Sequence, residues 1–190
     1  MAQGGKVDAV LESIDAANAA DPGLEPDGAP AALAYGRRMS EELSRLCPEA
    51  SEELRIAVRG QHVERWKSPR ESYPEGRAGY LAWRSDLARM HAARVSGLMA
   101  DAGYDQAARA RVEALLRKEG LKRNPETQML EDVACLVFLR WYFADFATRH
   151  PAEEIERIVT RTARKMSPEG RARALAEVEI PAALVPAFSA

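Results

Sequence analysis

Apolar residues return every three or four positions along nearly the whole chain, and no stretch alternates apolar with polar residues for long enough to make a strand. This pattern predicts an all-α fold. Val7, Leu11 and Ile14 form the stripe of a first helix over residues 6–20, which Asp21-Pro22-Gly23 stops. A loop over 22–30 leads to a second helix over 31–47, with Gly36 as its weak point. Ser51, followed by Glu52 and Glu53, caps a third helix that the pattern carries to Trp66. Pro69, Pro74 and Gly76 make residues 67–77 an extended loop. A long fourth helix covers 80–102 and stops at Gly103, and a fifth covers 105–119 and stops at Gly120. Asn124-Pro125-Glu126 supplies a cap and a first-turn proline for a sixth helix reaching Arg149. That helix is apolar around most of its circumference, which predicts a central position. Two shorter helices follow over 151–166 and 168–178, and the Pro- and Ala-rich residues after Ile180 read as a loose extension. The expected organisation is a single helical domain over 1–180, of six to eight helices, with a tail over 181–190; 190 residues suit one core better than two.

Several polar residues fall on the apolar stripe of their own helix. At 100° per residue, Asn18 continues the first stripe, with Asp15 on its shoulder and Asp21 one turn on. Gln61 and Arg65 continue Leu54 and Val58 on the third helix, with His62 beside them. Tyr80, Arg84, Leu87, His91, Arg94 and Leu98 share a face of the fourth, and Gln128, Asp132, Cys135 and Leu139 a face of the sixth, with Glu131 adjacent. An unpaired buried polar group costs about 1–3 kcal/mol, so these positions need partners or a ligand. A lone histidine on such a face is more often a satisfied core residue than a ligand. Four helices aiming polar groups inward predict a common polar cavity. Asp132 beside Glu131 needs a cation, a metal or a proton, and Lys118 near the end of the fifth helix is a candidate for the cation.

Composition narrows the class without naming a function. With 46% apolar and 29% charged residues the chain is neither disordered nor collagenous. A net charge of −2 gives no global reason to expect nucleic acid or an anionic membrane as partner. The greasiest stretch, 134–146, is interrupted by Arg140 and Asp145, so no membrane span is expected. Cys47 and Cys135 lack a CxxC spacing and follow no signal peptide, which points to reduced thiols in the cytoplasm. Charge is unevenly spread: residues 1–54 carry 4 basic and 11 acidic side chains, 55–94 carry 9 and 4, and 95–190 carry 14 and 14. The nine in the middle are Arg55, Arg59, Arg65, Lys67, Arg70, Arg77, Arg84, Arg89 and Arg94, mostly the residue whose planar fork suits phosphate and carboxylate.

The strings Asp15-Ala-Ala-Asn18-Ala-Ala-Asp21-Pro22, Gln61-His62-Val-Glu-Arg65-Trp66, Pro69-Arg70, Tyr73-Pro74, Trp83-Arg84, Lys118, Gln128 to Leu139 and Lys165-Met166-Ser167 resemble the family named domain of unknown function 4202. The likeness covers residues 5 to about 178, and the family name carries no established activity. More distantly, His91-Ala-Ala-Arg-Val, Val112-Glu-Ala-Leu-Leu-Arg-Lys118 and Met129-Leu-Glu-Asp132-Val-Ala are similar to the stretch in which metal ligands follow one another in the HD phosphohydrolase superfamily. That likeness implies an orthogonal all-α bundle holding one or two metals. Here Lys118 stands where a histidine is expected, Gln61-His62 stands for His-Asp, and Asp15 and Asn18 replace a histidine on the first helix. Lys165-Met166-Ser167 is similar to the KMSKS loop of class I tRNA synthetases, but no HIGH motif and no alternating strand and helix pattern accompany it.

Two functions follow as expectations. In the first, an enzyme, Asn18, Gln61, Arg65, Arg70 and Arg84 bind a small anionic molecule while His62, His91, Asp132 and Lys118 act on it, by hydrolysis or another acid-base route. His62, His91 and Asp132 are then the candidate ligands of one divalent transition metal. In the second, a binding or regulatory domain has lost its chemistry, and Lys118 pairs with Asp132 where a metal once sat. Neither the substrate nor the oligomeric state follows from the sequence.

Overall fold

A computed structural model of the chain describes residues 4–189, with no strand among them. Nine α-helices follow in order: α1 (Gly4–Asn18), α2 (Ala31–Leu46), α3 (Glu52–Gly60), α4 (Gly76–Asp101), α5 (Gln106–Leu116), α6 (Pro125–Val137), α7 (Phe143–Arg149), α8 (Ala152–Lys165) and α9 (Pro168–Glu177). The all-α reading of the periodicity holds. No helix among the described residues is long and apolar enough to cross a membrane. The chain forms two compact units, one up to Glu119 with α1–α5 and one from Gly120 with α6–α9.

The core of the first unit is built from Val7, Val10 and Ile14 of α1, Met39 of α2, Ile56 and Val58 of α3, Val95 and Met99 of α4 and Val112 of α5, all fully buried. Helix starts follow the capping signals. The Ser51 hydroxyl accepts from Leu54 N, and the Asp105 carboxylate accepts from Ala108 N. Asp21 Oδ2 accepts from Ala32 N, so the stop signal of α1 also caps α2, whose own N-cap is Pro30. Gly36 does not break α2. It lets the helix lie against Arg59, whose carbonyl oxygen would stand 3.1 Å from an added Cβ.

The third helix ends at Gly60, well short of Trp66. Val63 N turns back to Gly60 O at 3.0 Å, and Glu64 takes a left-handed conformation at φ 51°. The reversal is fixed by Asn18, a buried residue whose Oδ1 accepts from Glu64 N at 2.9 Å. Periodicity alone could not reveal it, because the stabilising partner lies 46 residues away. Short 3-10 turns over Arg65–Lys67 and Arg70–Ser72 follow. The Arg70 guanidinium donates to the carbonyls of Tyr73 and Pro74, each at 3.0 Å, and holds the chain into α4, which starts at Gly76.

In the second unit Asn124 caps α6 through its side-chain oxygen, which accepts from Glu126 N and Thr127 N, and eight of the helix's thirteen residues are buried. The helical path continues to Arg149 but passes through a π turn over Phe138–Tyr142, where Phe143 N donates to Phe138 O. Residues 181–189 are not loose. Ala182–Phe188 form a 3-10 helix that packs against α8 and α9 and buries Leu184 and Phe188.

Candidate functional site

In the first unit, the end of α3, the middle of α4 and the end of α5 enclose a cleft of about 480 Å³. Gln61, His62, Arg84, Leu87, His91 and Lys118 line it, with the 116–119 segment along one edge. Its size is within the range of small-molecule sites. The close meeting of α3 and α4 depends on Gly60, where an added Cβ would stand 2.5 Å from Val95 Cγ2.

His91 is the most constrained group in the cleft. It is 4% exposed, and its Nδ1 lies 2.8 Å from the carbonyl oxygen of Val63. A carbonyl can only accept, so Nδ1 carries the proton and donates it. Nε2 then bears a lone pair, is buried, and has no hydrogen-bond partner among the described residues. Burial pushes the His91 imidazole down to about 4; the Val63 bond opposes this, while Arg65 and Arg84 add to it. The ring is neutral at neutral pH. Gln61, also buried, approaches the Tyr35 hydroxyl through Nε2 at 3.4 Å and leaves Oε1 without a partner.

His62 is held differently. Its ring stacks on Tyr35 with centroids 4.1 Å apart, and the Arg65 guanidinium donates to it, 3.1 Å from Nε2. Burial first, and then the charges of Arg65, Arg84 and Lys118, keep it well below the ordinary histidine range. Arg65 lies over the Trp83 ring at 5.1 Å, and Trp83 Nε1 donates to Ser68 O, which ties the 3-10 segment to α4. The two imidazole centroids are 6.0 Å apart.

The surplus of arginine in the middle of the chain resolves into pairs and exceptions. Arg55 faces Asp8, Arg59 pairs with Asp15, Lys67 and Arg94 with Glu64, and Arg89 with Asp86. Arg70 is spent on backbone carbonyls. Arg84, half-buried in the cleft, makes no hydrogen bond or ion pair with any described residue. Lys118 stands at the mouth with a left-handed backbone, φ 56°, where the C-terminal closure of α5 ordinarily takes glycine. A side chain there costs roughly 1–2 kcal/mol.

The residues expected to form one site thus separate by role. Gln61, His62, Arg84, His91 and Lys118 line the cleft, and Arg65 backs it. Asn18 and Arg70, expected to bind substrate, are engaged with the backbone: Asn18 holds the turn at Glu64, between His62 and Arg65, and Arg70 holds the chain into α4. Tyr35 and the Val63 carbonyl were not legible in the sequence: Tyr35 carries no signal of a stacking role, and a main-chain oxygen carries no sequence signal.

Asp132 lies in the second unit and is fully engaged there. Its carboxylate accepts from Ser167 N at 2.8 Å, Ser167 Oγ at 2.6 Å and Gln128 Nε2 at 3.0 Å. Ser167 Oγ in turn accepts from Gly170 N and caps α9. Neutral donors, not an ammonium, answer this carboxylate. The buried Glu131 beside it has the Lys165 ammonium at 3.4 Å. The Lys165-Met166-Ser167 motif is therefore a helix junction.

The donor set does not suit the divalent metal that the HD likeness implies. Among the described residues no three His, Cys, Asp or Glu side chains are gathered as a metal-holding group. Within the cleft His62 is taken by Arg65, and Arg65 and Arg84 bear on both imidazoles, and Lys118 on His62, as positive charges. Both cysteines are free thiols, Cys135 buried and Cys47 half-buried.

Neither the curated proteins nor the solved structures contain a significant match to this chain. A family model described as "Domain of unknown function (DUF4202)" matches residues 8–186, nearly the whole length, and the chain belongs to that family.

Proposed function

We propose that the cleft binds a small phosphate- or carboxylate-bearing molecule, with Arg84 and Lys118 meeting its charge and His91 Nε2 taking a proton from it or from a water beside it. The observation that carries this reading is the pairing of two unfilled valences in one cavity: a half-buried guanidinium without an anion, and a buried imidazole nitrogen without a donor. An unpaired arginine next to Arg65 is costly unless a ligand neutralises it. Arg65 reaches His62 rather than the cavity, so its role is to orient that ring. Of the distant HD likeness this reading keeps an all-helical scaffold with a histidine on its long helix, and not the metal.

A second reading, a binding or regulatory cleft without chemistry, is favoured by the weak basicity of His91. An imidazole at about 4 is a poor base until an anion beside it raises its proton affinity. Titration with inorganic phosphate, sulfate and citrate tests the shared part of both readings: wild type binds at least one, and Arg84→Ala binds it at least tenfold more weakly, on the order expected for a charge-assisted contact. Turnover of a panel of phosphate esters and lactones that His91→Asn abolishes selects the enzyme. Binding without any turnover selects the second reading. No binding of any anion overturns both.

A further inference from the structure

The cleft offers more than positive charge, and its remaining polarity narrows the ligand. Two of the residues that line it carry buried acceptor atoms without donors among the described residues, His91 Nε2 and Gln61 Oε1. The His91 acceptor is fixed, because Nδ1–H is committed to Val63 O and the ring stays neutral. A phosphate or carboxylate group cannot satisfy either atom: a fully ionised anion only accepts, and beside a lone pair it is repelled. The other half of the ligand must therefore donate.

We propose that the physiological ligand is a hydroxyl-bearing anion, a polyol phosphate or hydroxy acid, whose charged end meets Arg84 and whose hydroxyls donate to His91 Nε2 and Gln61 Oε1. The geometry of the supporting shell agrees with a specificity role. His91 is locked by a main-chain carbonyl, and Gln61 is braced against the Tyr35 hydroxyl, so neither acceptor can turn away to find another partner when the ligand is absent. A site built on buried acceptors rejects an analogue lacking the hydroxyl, because the acceptor is then left dry and unpaired. Within the cleft the division of labour is simple: Arg84 and Lys118 give affinity for any small anion, and His91 with Gln61 decide which one. The buried Nε2 that a catalytic reading uses as a proton acceptor is the same atom that a substrate hydroxyl would address, so binding and proton transfer share one contact.

This inference rests on the anion-binding reading of the cleft, and matched ligand pairs separate the two. Calorimetric titration compares inorganic phosphate, propyl phosphate and glycerol 3-phosphate, and in a carboxylate series butyrate and glycerate, on wild type, His91→Asn and Gln61→Met. Asn at 91 can keep a donor for Val63 O while removing the Nε2 acceptor, so the variant retains its fold. The expected result is that glycerol 3-phosphate, or glycerate, binds wild type at least about tenfold more tightly than its partner without hydroxyls. That preference, read as the ratio of the two affinities within each variant, falls to within about threefold in His91→Asn and shrinks in Gln61→Met. Equal binding of the matched pairs by wild type, with phosphate still bound, overturns the hydroxyl inference and leaves the anion reading standing. A preference that survives in His91→Asn and Gln61→Met overturns the assignment of these acceptors. Failure of every anion to bind wild type overturns the anion reading and this inference with it.

Discussion

The cleft between α3, α4 and α5 and the carboxylate junction between α6 and α9 share one sequence pattern and differ in structure. Both place ionisable side chains on the apolar stripe of a helix, and both are buried. Around Asp132 the donors are at hand: the Ser167 N–H, the Ser167 hydroxyl and the Gln128 amide all reach it, and the serine also caps α9. Around His91 one valence is satisfied and the other is not, and a nearby guanidinium has no anion. A satisfied network stabilises a fold, whereas an unsatisfied one is tolerated at a cost that a ligand can repay. Inward-facing polarity is therefore a weak indicator of function by itself. The informative quantity is what remains unpaired after folding.

The largest effect that could break this comparison is at the junction. Asp132→Ala leaves the Ser167 hydroxyl and main-chain N–H without their acceptor and the Gln128 amide with only the Lys165 carbonyl, and should destabilise the protein by about 3 kcal/mol, read as the shift of the urea midpoint. A loss below about 1 kcal/mol would show that the junction is not the structural element described. Gly170→Ala should act in the same direction, since its Cβ would stand 2.8 Å from Asp132 Cγ.

Acid stability probes the cleft. The folded-state His91 value of about 4 lies below the ordinary 6.5, so the unfolded chain binds the proton more readily. Its contribution is fully present above pH 6.5 and is lost as the pH falls from 6.5 towards 4, by about 3 kcal/mol in total. His62 is depressed in the same sense and adds to the slope. His91→Asn should flatten the pH dependence in that window, measured by chemical unfolding at fixed pH steps. An unchanged slope would place the titrating group elsewhere. Added phosphate should raise the imidazole's proton affinity, so anion binding should tighten as the pH falls within the same window, provided the probe keeps its own charge.

Arg84→Ala sharpens the contrast from the other side. It should weaken anion binding at least tenfold, about 1.4 kcal/mol, yet not lower stability without ligand, because the guanidinium makes no bond with any described residue and its removal relieves repulsion with Arg65. The smallest effect is at Lys118. Lys118→Gly should relieve the left-handed backbone and raise stability by up to about 1 kcal/mol while reducing anion affinity. A gain in stability with unchanged binding would mark this residue as merely strained.

Much of the architecture was determined by the sequence alone. Helical periodicity, the caps at Ser51 and Asn124, and the stops at Gly103 and Gly120 are local signals, settled within a turn or two of the residues that send them, and they specify an all-α chain with most of its helix ends. The inward-facing positions of Gln61, Leu87 and His91 also follow from 100° per residue, and these residues do meet in one cleft. What the sequence could not determine is where each polar atom finds its partner. The end of α3 depends on a side chain from α1, the tautomer of His91 on a main-chain oxygen, and the neutral setting of Asp132 on a serine 35 residues further along. Residues 182–188, short and proline-containing, form a 3-10 helix because α8 and α9 offer an apolar surface for Leu184 and Phe188. Periodicity reports direction from the helix axis, which is a property of one segment. Hydrogen-bond satisfaction is a property of several segments at once, and tertiary structure alone decided which inward polar groups found partners within the fold and which did not.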